Sequence, residues 1–182
     1  KNTPLTVKSM EESPRTEKPK PPFTTSTMQQ DAGSRLGWGA QITMRVAQRL
    51  YENGYITYMR TDSINLSDQA LNAARAAATA LYGKDHVYET ARLYQGKSKN
   101  AQEAHEAIRP AGDVFKTPGE LAPELSRDEF ALYDLIWKRT VASQMADAKK
   151  MQMRVDFDAK TADGKETIFR PNGSVITFPG FL

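Results

Sequence analysis

The chain has 182 residues, of which 39% are hydrophobic and 26% are charged, and its formal net charge is +3. It contains no cysteine, which excludes disulfides, thiolate zinc sites and cysteine nucleophiles. No run of about 18 apolar residues is present that could cross a membrane, so we expect a cytoplasmic protein of one domain or two small ones.

The first half of the chain is predicted to contain two helices. Prolines are dense within residues 1–23 and block helix formation, so only residues 5–10 could form a strand there. Residues 40–53 are apolar at helical spacing, which predicts an amphipathic helix. A short β-like run follows at residues 55–59. A serine cap then predicts a second helix over residues 67–82.

Helix-forming patterns continue in the middle of the chain. Residues 104–108 have the composition of a helical turn. Thr117-Pro118 indicates the start of a helix, with Thr117 as its cap and proline at the first helical position. Ser126 and Glu129 have the capping-box spacing, which predicts a helix over about residues 127–146.

The last thirty residues are predicted to form an antiparallel β-meander. Apolar and polar residues alternate over residues 151–159, which is the period of a half-buried strand. Asp163-Gly164 and Asn172-Gly173 are typical of two-residue hairpins. The strand over residues 5–10 could pair with this sheet.

Together these elements predict an α+β fold in more than one domain. A mostly helical domain, residues 23–147, would be inserted between residues 1–22 and 148–182, and those two flanks would complete one β-rich domain. The sequence starts without methionine and stops in apolar residues, so we expect it to be a fragment of a longer protein.

The densest chemical motif surrounds Tyr58 and Arg60. In a strand, residues two apart share a face, so one phosphate could touch both side chains. A phenol is a poor nucleophile at neutral pH unless its proton is removed or its anion is stabilised, and the planar fork of arginine can hold phosphate oxygens. Composition alone favours a simpler interpretation, in which Tyr58 is an ordinary packed residue.

Other patterns for metal or nucleotide binding are weak. His105 begins a zinc-protease-like motif, yet Arg109 occupies the position of the second ligand, and a polar surface histidine is the simpler interpretation. Asp156 and Asp158 could grip Mg²⁺ from one strand face, although they also fit the polar positions of an amphipathic strand. The sequence has no glycine-rich phosphate loop. We therefore predict no metal site in this chain.

Four blocks of sequence resemble, in order and spacing, the bacterial DNA topoisomerase I family of type IA. These blocks are PFTTSTMQQ at 22–30, AQRLY at 47–51, GYITYMRTDS at 54–63 and AQEAHEAIRP at 101–110. The resemblance spans essentially the whole chain, and the sequence near the C-terminus is similar to that of the actinobacterial branch of the family.

The resemblance implies an isomerase that relaxes negatively supercoiled DNA without ATP. Such an enzyme cleaves one strand through a 5′-phosphotyrosine, passes a strand and religates. By the family pattern the catalytic residues are Tyr58, the nucleophile, and Arg60, which holds the scissile phosphate. The implied DNA-binding residues are His105, Asp62, Thr57 and Arg109. Among them, Asp62 would orient His105.

The same resemblance implies a cofactor and partners outside this chain. The family needs a toprim domain, whose acidic cluster binds Mg²⁺, and nothing in this sequence matches it. We therefore expect a helical gate domain with parts of a β-rich hinge domain, and an isolated fragment that is inactive. Its partners would be single-stranded regions of supercoiled DNA and the remaining domains of the same protein, with no membrane.

Two other functions are left open by the sequence. The first is a non-catalytic module that binds single-stranded nucleic acid and in which Tyr58 only stacks on a base. The second is a tyrosine recombinase or type IB enzyme, which is less consistent with the order of the tyrosine and histidine blocks.

Overall fold

A computed structural model describes residues 5–94, 106–160 and 163–182. The chain divides into two compact units. The helical unit runs from Pro19 to Ala146 and includes Phe181. The sheet unit contains the chain up to Lys18 and from Asp147 to Gly180, with Leu182. Helices and an antiparallel sheet occur in one chain, so the predicted α+β class is confirmed.

Five α-helices make up the described part of the helical unit. They are α1 (Thr25–Leu36), α2 (Ala40–Glu52), α3 (Asp68–Tyr82), α4 (Pro118–Leu121) and α5 (Arg127–Ala142). The helices predicted over 40–53, 67–82 and 127–146 are confirmed, although α5 ends earlier than expected. Ser67 and Ser126 cap α3 and α5 because their hydroxyls accept from backbone donors that have no partner inside the helix. No helix among the described residues is long and apolar enough to cross a membrane.

Helix α1 is not predicted by the sequence analysis. It begins with a capping box made by two threonines, in which Thr24 Oγ1 accepts from Thr27 N and Thr27 Oγ1 accepts from Thr24 N. Only Met28 and Ala32 are buried along its length. Its apolar periodicity is therefore too weak to mark it as a helix in the sequence.

The strand predicted over residues 55–59 is wrong. This segment is irregular, with bends, and its described pairing is an isolated bridge between Ile56 and Pro110. Ile56 and Met59 are buried in the core, which explains a β-like composition without a sheet. The described part of the helical turn predicted at 104–108 is not helical, and Ile108 forms an isolated bridge with Phe23.

One apolar core holds the helical unit together. Its largest fully buried hydrophobic residues include Tyr133, Phe23, Met28, Leu50, Met59, Ile108, Leu121, Leu132 and Ile136. Phe23, Met59 and Ile108 belong to loops rather than helices. Because burying such a side chain contributes about 1.5–3 kcal/mol, these anchors hold the loops near Tyr58 against the helices.

The sheet unit is built around one central strand. Strand β2 (Ala148–Lys160) pairs antiparallel with β1 (Thr6–Glu17) on one side, and with β3 (Glu166–Phe169) and β4 (Asn172–Phe178) on the other. The strands predicted over 151–159 and near residue 5 are confirmed and are longer than expected. Strand β1 continues through Pro14, which is tolerated because β1 lies at an edge of the sheet.

The predicted meander is only partly correct. The hairpin around Asp163-Gly164 joins β2 to β3 as expected. Asn172-Gly173 makes no hairpin, because β3 and β4 follow one another along β2 in the same direction. They are interrupted at Arg170-Pro171, where Pro171 O accepts a hydrogen bond from Val155 N at 3.2 Å.

Candidate active site

Tyr58 lies in the irregular segment between α2 and α3, and hydrogen bonds hold the residue on each side of it. Thr57 N donates to Arg109 O at 2.9 Å. The Thr57 hydroxyl donates to Ala107 O at 2.9 Å and accepts from Arg109 N at 3.0 Å. These hydrogen bonds tie Thr57 to the segment from Ala107 to Arg109, and its predicted contact with DNA stays a prediction.

On the other side of Tyr58, the first residue of α1 holds the chain. Thr25 Oγ1 donates to Met59 O at 2.7 Å and accepts from Thr61 N at 2.9 Å. Thr25 N also donates to Thr61 O at 2.9 Å. The Met59 side chain is buried in the core. The backbone of Tyr58 is therefore fixed from both sides.

The side chains of Tyr58 and Arg60 are both exposed, with the buried Met59 between them. Tyr58 is 47% exposed, so its phenol is accessible to a large substrate. The predicted strand is not formed, yet the exposed and buried positions alternate here as a strand would place them.

An open groove of about 510 Å³ lies beside Arg60. Its lining residues are Thr24, Thr25, Ser26, Arg60, Thr61 and Asp62. Thr24 caps α1, so the positive end of a helix dipole and a guanidinium border the same groove. Both features favour an anion, and a phosphate group is small enough to enter.

The Glu106 carboxylate joins the start of α3 to the side chain of Arg109. Its Oε1 accepts from Ser67 N, at the start of α3, at 2.7 Å. Its Oε2 accepts from Arg109 Nη2 at 2.8 Å. Burial raises the pKa of Glu106, but the hydrogen bonds from Arg109 and Ser67 outweigh that effect and leave the pKa below its ordinary value. Glu106 is therefore an anion at neutral pH.

Arg109 is buried beneath this ion pair. Its Nη1 donates to Pro110 O and to Gly112 O, both at 2.9 Å, while Nε and Nη2 donate to Glu106. Arg109 is only 7% exposed. The guanidinium therefore shapes the loop that holds Thr57, and the predicted contact of Arg109 with DNA stays a prediction.

His105 lies outside the described residues, so its predicted contact with DNA and with Asp62 stays a prediction. Asp62 itself lines the groove beside Arg60.

The two carboxylates that the sequence offers as Mg²⁺ ligands, Asp156 and Asp158, pair with cations. Asp156 accepts two hydrogen bonds from Arg170, at 2.7 and 2.8 Å, and these lower the pKa of its carboxyl. Asp158 pairs with Lys8 at 3.4 Å. Within the described ranges no group of three or more acidic or histidine side chains is placed to hold a metal ion. The Mg²⁺ expected in the complete enzyme stays a prediction.

Sequence reasoning missed three residues that contact Tyr58 or hold the segment around it. Thr25 and Glu106 lie within the quoted blocks but reach Tyr58 only through the fold, since they are 33 and 48 positions away along the chain. Tyr51, at the end of α2, contacts the Tyr58 ring directly. The threonine capping box of α1 was the available indication for Thr25, because it places a helix start there.

Comparisons with known proteins find similar sequences over essentially the whole chain. DNA topoisomerase 1 of Mycolicibacterium smegmatis is 56% identical over 178 residues, which cover 98% of this chain and 19% of that protein. The enzyme of the same name from Streptomyces coelicolor is 56% identical over 181 residues, covering 100% of this chain and 19% of that protein. The chain therefore spans about a fifth of the length of the curated relatives it matches.

A solved structure and a family model extend the comparison. The structure of full-length topoisomerase I from Thermotoga maritima matches with a TM-score of 0.75 and 40% identity, over 97% of this chain and 29% of that one. The family model for DNA topoisomerase matches residues 1–182. The resemblance to bacterial DNA topoisomerase I is confirmed, and the chain belongs to the bacterial DNA topoisomerase family.

Proposed function

We propose that this chain supplies the nucleophile of a type IA DNA topoisomerase. The observation that carries the proposal is the presentation of Tyr58. Its phenol is exposed, its backbone is held on both sides, and Arg60 follows two residues later beside a groove suited to an anion.

In the proposed reaction Tyr58 Oη attacks a backbone phosphorus of single-stranded DNA. A bond forms between Oη and phosphorus, the bond from phosphorus to the 3′ oxygen breaks, and the phenolic proton passes to the departing 3′ oxygen. The product is a 5′-phosphotyrosine and a 3′-hydroxyl. One phosphodiester replaces another, so the reverse attack reseals the strand without hydrolysis of a nucleotide.

Arg60 is proposed to stabilise the charge that develops on the phosphate. A guanidinium can donate two parallel hydrogen bonds to non-bridging oxygens. The N-terminus of α1 borders the same groove and adds to the positive potential there. His105 and Asp62 are proposed to contact the cleaved strand.

The remaining parts of the reaction are proposed to lie outside this chain. Mg²⁺ would be held by a toprim domain, where it would help to neutralise phosphate charge, and strand passage would need the other domains. The chain on its own is therefore expected to relax no supercoiled DNA at any Mg²⁺ concentration.

Replacement of Tyr58 by phenylalanine in the full-length enzyme tests the proposal. Relaxation and strand cleavage should vanish, whereas binding of a single-stranded oligonucleotide should stay within a few-fold, because the ring can still pack and stack. Tyr82→Phe is a matched control, since Tyr82 is also about half exposed at 49%. Relaxation near the wild-type rate by Tyr58→Phe would show that another group is the nucleophile.

The second candidate function is a non-catalytic module for single-stranded nucleic acid. Two exposed tyrosines side by side, Tyr51 and Tyr58, could stack on bases. This function predicts that Tyr58→Ala weakens binding and that wild-type protein forms no covalent complex with DNA. Assays of oligonucleotide binding and of covalent strand cleavage therefore separate the two functions.

A further inference from the structure

Tyr51 and Tyr58 form an aromatic pair at the surface of the helical unit. Their ring centroids are 5.1 Å apart and their planes meet at 62°. This is an edge-to-face arrangement within the preferred range of about 4.5–7 Å. Among the described residues no hydrogen bond to Tyr58 Oη is found, so the phenol is not held by a hydrogen bond and its ring contacts the ring of Tyr51.

The backbone around both rings is fixed. Tyr51 lies in the last turn of α2, next to the fully buried Leu50. The chain then turns back on itself, with Gly54 N donating to Tyr51 O at 2.9 Å and Tyr55 N donating to Leu50 O at 2.8 Å. Gly54 adopts a φ of 75°, a left-handed conformation that favours glycine. This turn brings residue 58 beside residue 51.

We propose that Tyr51 is a positioning residue that sets the direction of the Tyr58 phenol. This inference rests on the proposed function, in which Tyr58 is the nucleophile. An exposed tyrosine normally populates several staggered χ1 rotamers, and an in-line attack uses one of them. The ring of Tyr51 favours the observed rotamer before DNA binds, which reduces the ordering needed at the moment of reaction.

The geometry assigns this role to the ring of Tyr51 rather than to its hydroxyl. An edge-to-face contact depends on the aromatic faces and edges, which phenylalanine shares. Tyr51→Phe should therefore keep the effect, and Tyr51→Ala should abolish it. A role in proton transfer would give the opposite result for Tyr51→Phe, since that variant lacks the hydroxyl.

The first test measures cleavage and binding separately in the full-length enzyme. Single-turnover cleavage of a saturating single-stranded oligonucleotide should fall about three- to tenfold in Tyr51→Ala and stay within twofold of wild type in Tyr51→Phe. The dissociation constant for the oligonucleotide and the melting temperature should be unchanged. Tyr82→Ala, which removes a similarly exposed tyrosine from the end of α3, should alter neither rate nor affinity.

The second test reads the position of the ring without any reaction. Incorporation of 3-fluorotyrosine at position 58 gives a ¹⁹F resonance that depends on the neighbouring aromatic ring. Tyr51→Ala should shift this resonance, whereas Tyr51→Phe should leave it close to that of the wild type. This result is expected even if Tyr58 is not the nucleophile, so failure of the proposed function and failure of the positioning role are distinguishable.

Three outcomes would overturn the positioning role. An unchanged cleavage rate and an unchanged ¹⁹F resonance in Tyr51→Ala would show that the contact restrains nothing. Weaker oligonucleotide binding with normal cleavage at saturation would show that Tyr51 stacks on a base. Equal loss of cleavage in Tyr51→Phe and Tyr51→Ala would assign the effect to the hydroxyl.

Discussion

Replacement of Glu106 by glutamine is expected to loosen the segment that carries Tyr58. The carboxylate accepts hydrogen bonds from Ser67 N and from the guanidinium of Arg109, and the backbone of Arg109 in turn holds Thr57. Glutamine keeps an acceptor for Ser67 N but leaves the cation of Arg109 without its anion. The change therefore acts on the loop that supports the nucleophile rather than on the nucleophile.

The size of the effect follows from the burial of this ion pair. The side chains are 27% exposed for Glu106 and 8% exposed for Arg109. Removal of one partner from a fully buried pair costs about 3–5 kcal/mol. Because Glu106 is partly exposed and glutamine keeps one hydrogen bond, we expect the free energy of unfolding to fall by about 2 kcal/mol.

The pH dependence gives this prediction a second measurement. The pKa of Glu106 in the folded chain lies below its unfolded value, so its contribution is complete above pH of about 4.3 and is lost as the pH falls through the lower folded value. The difference in stability between wild type and Glu106→Gln should be full at pH 7 and should shrink below pH of about 4.

Urea unfolding followed by tryptophan fluorescence provides the assay. Both tryptophans, Trp38 and Trp137, lie in the helical unit, so the fluorescence reports on the unit that contains Glu106. Glu89→Gln is the matched control, because Glu89 is exposed. Equal stability of the two variants, or a difference between wild type and Glu106→Gln that persists unchanged in acid, would refute the reasoning.

Three further predictions concern DNA cleavage by the full-length enzyme. Arg60→Lys keeps the positive charge but loses the paired hydrogen-bond donors of the guanidinium, so the cleavage rate should fall about tenfold. Arg60→Ala loses both, and its cleavage rate should fall about a hundredfold. Full activity in both variants would exclude the contact between Arg60 and the phosphate. Thr25→Val should slow cleavage and lower the free energy of unfolding by about 1–2 kcal/mol, because it removes the hydroxyl that binds Met59 O and Thr61 N, and Thr25→Ser should restore both quantities. Oligonucleotide binding should weaken as pH rises from about 5.5 to 8, and His105→Gln should flatten this trend while lowering cleavage. If His86→Gln flattens the trend instead, His105 does not contact DNA.

The helices were predictable where local chemistry and burial agree. Helices α3 and α5 have a serine cap and apolar residues at helical spacing, so two independent patterns predict the same helix, although α5 ends before the predicted residue 146. Helix α1 has a cap but little apolar periodicity, and the spacing of apolar residues alone does not reveal it. The strand predicted at 55–59 failed because its buried side chains, Ile56 and Met59, pack in the core of the helical unit instead of against a sheet.

The sheet shows where turn residues mislead. Asn172-Gly173 would make a hairpin if the strand before it and the strand after it paired with each other. In the fold, β2 is already beside both β3 and β4, so the chain continues in one direction past Arg170. The ion pair of Arg170 with Asp156 also explains why an acidic residue is buried in β2.

The residues proposed for the reaction and the residues that hold them differ in how easily they are predicted from the sequence. Tyr58 and Arg60 lie two apart in one motif, so the sequence alone brings them together. Thr25, Tyr51 and Glu106 act on Tyr58 through contacts made by other elements, and these contacts become visible only once the helices are packed. The residues proposed to touch the substrate are thus easier to predict here than the residues that hold them.

Mapping the covalent link to DNA tests the central claim most directly. The full-length enzyme would be trapped on a single-stranded oligonucleotide, digested with protease, and the DNA-linked peptide identified by mass spectrometry. The proposed function predicts a peptide in which the Tyr58 oxygen is joined to a 5′ phosphate, and a released upstream strand that ends in a 3′-hydroxyl. A link to another residue, or a link through a 3′ phosphate, would contradict it.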